Sequence, residues 1–133
     1  MMALNANTAI GVCLLGVALI HLTPAVGVLG AAKLQALYGV QLGDANVLLL
    51  MRHRAVLFGL MGLVMAASVW WPQWRPLALG LGWISVLSFL GLAQPLQALN
   101  VELLRVVRVD WVAAALLLVA TALQFTMSQP AQT

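Results

Sequence analysis

From Thr8 to Gly30 the chain carries no charged side chain. That stretch exceeds the roughly 20 apolar residues an α-helix needs to cross a bilayer. Three more apolar runs follow, from Ala55 to Trp71, from Pro76 to Ala93 and from Trp111 to Leu123. Hydrocarbon offers no water to exposed peptide groups, so spanning segments satisfy their backbone internally as helices. The composition agrees: 64% of the 133 residues are hydrophobic and 7% are charged, too few charges to solvate the surface of a water-soluble fold. The length allows one domain of a few helices and no second globular unit.

The net charge of +3 does not indicate nucleic acid. A nucleic-acid surface needs a solvated basic face with several phosphate contacts. The six cations here flank apolar runs, which fits a topological role. Cys13 stands alone in an apolar run, so neither a disulfide framework nor a cysteine metal cluster is encoded, and a buried inert thiol is expected.

The expected fold class is all-α: an integral membrane four-helix bundle of up-down topology, with helices near residues 5–30, 45–71, 76–94 and 97–127. A short interfacial helix is expected between the first two. The first run is too long for a signal-peptide core and is preceded by MMALNAN, which has no basic residue, so it reads as a retained anchor. Asn5, Asn7 and Thr8 are candidate caps for its start, and Pro24 should kink or end its regular part. In AAKLQALYGVQLGDAN, Lys33 and Tyr38 are placed as interfacial anchors, Gly39 and Gly43 break the pattern, and Asp44 should cap the next helix. Trp70, Trp71 and Trp74 mark an aromatic belt, with Pro72 and Pro76 bracketing a short turn at Arg75. Pro95 stops the third span, the fourth begins near Leu96, and residues 128–133 form a polar tail expected to be disordered. Small residues recur at helical spacing, Ala55, Gly59, Gly62 and Ala66 on the second span and Ala78, Gly82 and Ser85 on the third. They allow close helix approach, within the bundle or between copies.

An up-down bundle gathers nearly every polar side chain at one end. Arg54 and Asp110 each precede an apolar stretch of about 17 residues, so the two charged stretches belong at similar depth. An ionisable group there is expensive alone, which predicts pairing of Arg52 or Arg54 with Asp110 or Glu102. Successive helical residues differ by about 100°, so Arg52, His53 and Arg54 cannot all point inward and at least one must snorkel. Glu102, Arg105 and Arg108 share a face by spacing, where the two arginines read as an interfacial collar. Asp110 lies on another face and is the carboxylate expected inside.

His21 falls within the first charge-free run, where a lone histidine is a candidate site with a partner to be found. His53 belongs to the same end. Two histidines on neighbouring antiparallel helices could ligate a haem iron, with Arg52 and Arg54 near its propionates, or could belong to a polar pocket. A closed zinc site needs more ligands, and no HExxH or CxxC is present. The glycines of GVLGA and GLGW lie inside apolar spans and lack the strand-turn-helix setting of a phosphate loop.

The strings HLTPAVGVLGA, LYGVQLGDANVLLL and MRHRAVLFGLMGLVMAA resemble small bacterial inner-membrane proteins of four helices, loosely grouped as DoxX-like. The resemblance covers Leu15 to about Leu92, and the fourth helix matches in layout more than in motif. It implies a four-helix membrane bundle with a retained polar end and assigns no catalytic residue.

Two functional classes follow. One is an accessory membrane component, associating with the bilayer and with a membrane partner or further copies of itself. The other is a bundle binding a small amphipathic ligand of lipid or quinone type at His21, Arg52, His53, Arg54, Glu102 and Asp110. A small oligomeric transporter is a third option. No nucleophile with an oriented base is apparent, so an enzyme ranks below these, and no cofactor is specified. Lys33, Arg52, Arg54, Arg105 and Arg108 lie at the polar end and Arg75 at the other, so the positive-inside rule puts both termini outside the cytoplasm of an inner membrane.

Overall fold

A computed structural model describes residues 2–128. Five α-helices follow in order: α1 (Met2–Leu22), α2 (Ala31–Tyr38), α3 (Ala45–Trp70), α4 (Arg75–Ala93) and α5 (Val101–Ser128). Two 3-10 segments, Thr23–Leu29 and Pro72–Trp74, link α1 to α2 and α3 to α4. Four of the helical segments are long and apolar enough to cross a membrane. Large apolar side chains such as Val12, Leu49, Leu60, Leu77, Ile84, Leu118 and Phe125 point outward, as a multi-pass membrane protein requires of its lipid face.

The long helices form an up-down bundle in which α1 packs mainly on α3 and α5, and α4 closes the ring against the same two. The register is set by close contacts. Gly11 meets Val69 while Gly62 meets Leu22, so α3 runs antiparallel to α1. Asn7 bonds Arg75 while His21 bonds Ser85, so α4 runs parallel to α1. Gly16 meets Leu116 while His21 and Asp110 line one cavity, so α5 runs antiparallel to both α1 and α4. Inside, α1 buries Ile10, Leu14, Val17, Ala18 and His21, spaced i, i+4, i+7, i+8 and i+11 along one face. Met65, Val86, Leu90, Ala113, Leu117 and Ala120 fill the space opposite.

The small-residue stripes are used within this ring. A Cβ at Gly62 would lie 2.7 Å from Leu22 Cγ and 3.1 Å from the Ala18 carbonyl oxygen, and one at Gly59 would lie 3.3 Å from Ala25 Cβ. Ala55 is buried at the same seam, beside Gly27. Both stripes therefore serve contacts inside one chain, which leaves them as no argument for an oligomer.

Several boundaries differ from the sequence reading for local reasons. The first helix is under way at Met2, so Asn7 and Thr8 lie inside it and do not cap it; the expected cap at Asn5 concerns a side chain outside the described set. Regular α-structure ends at Leu22, because Pro24 has no N–H to donate, and the chain tightens into the 3-10 segment. The Thr23 hydroxyl donates to the Leu19 carbonyl at this break (2.9 Å). The last helix starts at Val101 and not near 97. Asn100 caps it, accepting the Leu103 N–H at its side-chain oxygen (2.8 Å), while Ala98 upstream has φ 61°, which no helix tolerates. At the other end α5 runs through Ser128, and 129–133 of the expected tail lie outside the described residues. Asp44 caps α3 as anticipated, its carboxylate accepting from the N–H groups of Asn46 (2.7 Å) and Val47 (3.2 Å). The Val47 and Asn46 bonds hold this carboxyl below its ordinary range, so the cap is present at neutral pH and lost as pH falls through that lowered value.

The Gly62 seam gives a direct test. Gly62→Ala should lower the stability of the detergent-solubilised protein by about 1–3 kcal/mol, because the Ala18 backbone cannot yield as a side chain does. Gly80→Ala meets nothing within 4 Å and should be neutral or stabilising by up to about 1 kcal/mol. Thermal unfolding of the two variants side by side reads the difference.

Candidate functional site

The polar end encloses a cavity of about 390 Å³ between α1, α2, α3, α4 and α5. Its walls are largely apolar, from Leu19, Ile20, Pro24, Phe89, Val106 and Val109. Polar groups enter from four helices: His21, Tyr38, Arg54, and Arg105 with Asp110.

Arg54 is the most constrained of these. Its guanidinium carbon lies 5.2 Å from the centroid of the Tyr38 ring and 4.8 Å from that of Phe58. Stacking between two aromatic faces holds a cation that would otherwise seek headgroups. Asp110 shares the cavity and interacts electrostatically with Arg54. Among the described residues, however, no carboxylate approaches an Arg or Lys nitrogen within 4.0 Å. The anticipated pairing thus takes the form of two opposite charges lining one cavity, not a closed ion pair. Burial pushes the Tyr38 hydroxyl above its ordinary pKa, and the Arg54 charge opposes that shift.

His21 forms the floor, with 2% of its surface exposed. Its Nδ1 bonds the Val17 carbonyl oxygen at 2.9 Å, and a carbonyl can only accept, so Nδ1 carries hydrogen. A neutral ring then accepts the Ser85 hydroxyl at Nε2, 3.0 Å away on α4. The Phe58 ring lies 5.7 Å from the imidazole, so one aromatic side chain touches both His21 and Arg54.

The other anticipated residues go elsewhere. Arg52 turns back along the 3-10 segment, donating from Nε to the Val28 carbonyl (2.8 Å). His53 is exposed and outside the cavity lining, so the two imidazoles do not share a cavity, as axial ligation of one haem by both requires. Glu102 sits over the α2–α3 loop, its Oε2 2.5 Å from where a Cβ on Gly39 would be, a position glycine occupies with φ 64°. It neither enters the cavity nor pairs with Arg105. Arg105 borders the cavity while staying exposed, and Arg108 is exposed as well. Among the described residues no group of three His, Cys, Asp or Glu side chains could hold a metal ion.

Sequence reasoning missed Tyr38 as a cavity wall, along with Phe58, Ser85 and Asn100. The Asn100 amide donates to the Tyr38 carbonyl (2.8 Å) while its oxygen caps α5, so one side chain fastens α2 to the start of the last helix. An asparagine between a proline-stopped turn and an apolar helix is the signal that could have found the cap. No signal in one sequence pointed to the loop it grips. Compared with known proteins, the chain matches no family model, no curated protein and no solved structure.

The cavity charges predict a coupled mutant cycle. Asp110→Asn leaves Arg54 without its opposing charge and should lower stability by about 1–2 kcal/mol. Adding Arg54→Met should cost less than the sum of the single losses, by about 0.5 kcal/mol or more. Strict additivity in thermal unfolding would mean the two groups act independently.

Proposed function

We propose that the bundle binds a small amphipathic molecule of lipid or quinone type, headgroup toward Arg54 and Asp110 and apolar part among Leu19, Pro24, Phe89 and Val109. The observation that carries this reading is the cavity's division into an apolar wall and a few fixed polar groups. Both hydrogen-bond polarities are on offer, since Arg54 only donates, Asp110 accepts when ionised, and Tyr38 does either. A quinone carbonyl or a phosphate finds donors in Arg54, Arg105 and Tyr38, and a hydroquinone hydroxyl finds an acceptor in Asp110. Such a protein is a binding or accessory component. The resemblance of its first three spans to the small DoxX-like inner-membrane families belongs to the same proposal, as does placement in a bacterial inner membrane.

A decyl-substituted benzoquinone and a lysophospholipid are the two probes. Each is titrated into the detergent-solubilised protein and followed by the shift in melting temperature. One of them should stabilise the wild type, and Arg54→Gln should weaken that effect about tenfold, the range of one charge-assisted hydrogen bond. Leu19→Trp, at an exposed position on the cavity rim, should block it without touching a polar group. Wild-type response in both variants would favour the purely accessory reading.

Both termini are proposed to lie outside the cytoplasm. Arg54 lies in the cavity and Arg52 is tied to Val28, yet Lys33, Arg105 and Arg108 still outnumber Arg75. A fusion of alkaline phosphatase to the C-terminus should be active, and an inactive fusion with an active one in the α2–α3 loop would reverse the orientation.

A further inference from the structure

At the opposite end from the cavity, Arg75 begins α4 with 5% of its surface exposed. Its Nη1 donates to the Asn7 side-chain oxygen at 2.8 Å, while its Nε is buried with no partner among the described residues. The guanidinium carries a positive charge. None of the chain's three acidic side chains can answer it: Asp44, Glu102 and Asp110 all belong to the cavity end. The helix adds to the imbalance. Arg75 stands at the N-terminus of α4, the positive end of the helix dipole, and Trp74 supplies no side-chain cap.

A second cleft opens beside this cation, formed by Asn7, Gly11, Val12 and Leu15 of α1 and Val69 of α3. Asn7, Thr8 and Arg75 give it one polar side, the rest is apolar, and Gly11 contributes no side chain to fill it. Trp71 and Trp74 are exposed next to Arg75, their rings 6.2 Å apart, which sets this level at the headgroup region of a bilayer. An arginine at that depth ordinarily extends into the headgroups. Arg75 instead folds inward, and the cleft is the side from which an anion reaches it.

We propose that this end carries a phospholipid site, in which Arg75 and Asn7 hold the phosphodiester and the α1–α3 cleft takes the first part of an acyl chain. The site is independent of the cavity around Arg54. It requires a single negative charge at the mouth and an apolar tail behind, and a bilayer phospholipid supplies both. Four N–H groups of the planar guanidinium remain once one Nη1 hydrogen serves Asn7, a fork lysine cannot reproduce.

The test uses the full chain, delipidated in mild detergent and titrated with dioleoylphosphatidylglycerol, with bound lipids counted by native mass spectrometry. Wild type should hold one lipid that Arg75→Gln binds about tenfold or more weakly, and Arg75→Lys should be intermediate. Arg54→Gln should keep this lipid, which separates the site from the cavity at the other end. Should Arg75→Gln not fold, Leu15→Trp fills the cleft from its lipid-facing side with Arg75 intact, and it too should lose the lipid. Wild-type lipid binding in every folded variant of this cleft would overturn the proposal. So would full displacement of the lipid by excess inorganic phosphate, since the site would then be one for a free anion with no part for the acyl chain.

Discussion

Everything in this molecule depends on the closeness of α1 to α3. Between helices in lipid there is no hydrophobic gain, because the alternative neighbour is as apolar as the partner, so association rests on packing. Gly62, Gly59 and Ala55 on α3 let Ala18, Leu22 and Ala25 approach to contact. At that separation the backbones themselves meet, and the many weak attractions that a larger side chain would hold apart become available. The same approach brings the end of α1, with His21, level with Arg54 and Phe58 on α3.

The polar end then solves a problem that the seam creates. A helix carrying Arg54 close to its neighbours cannot let that side chain lie in hydrocarbon unsupported. Two aromatic faces, a carboxylate in the same cavity and the cover of α2 share the task. The support comes from three different elements, α2, α3 and α5, which makes the cavity a consequence of tertiary structure. His21 is treated differently: both ring nitrogens are used up by Val17 and Ser85, so it behaves as a fixed polar cross-link between α1 and α4.

How much of this could be read beforehand follows from which interactions are local. The spanning helices were legible because length and apolarity act residue by residue, and the Asp44 cap was legible because its bonds reach only to Asn46 and Val47. The identity of the polar end was legible from connectivity. What could not be read was rotation about each helix axis. Spacing required that Arg52, His53 and Arg54 diverge, yet nothing local said that Arg54 is the one turned inward. Tyr38, Phe58 and Ser85 were invisible for the same reason, since each acts on a residue far away in the chain. The late start of α5 was missed because Ala98 in a left-handed conformation carries no sequence mark.

The placement of the triplet Arg52, His53, Arg54 depends on the break that Pro24 imposes on α1. Had α1 continued straight past Pro24, residues 31–38 would lie beyond the membrane surface and the cavity would have no roof. The 3-10 segment turns the chain back, Gly27 leaves room for Leu34 to seat α2, and Arg52 ties the segment down at the Val28 carbonyl. Tyr38 is thereby delivered onto Arg54, with Asn100 locking its carbonyl from the far side. One arginine thus anchors the covering segment from outside while its neighbour two positions on lies beneath it. The 200° between them on the helix makes the two roles compatible. His53, between them in sequence, is left on the exposed face, where it contributes to neither.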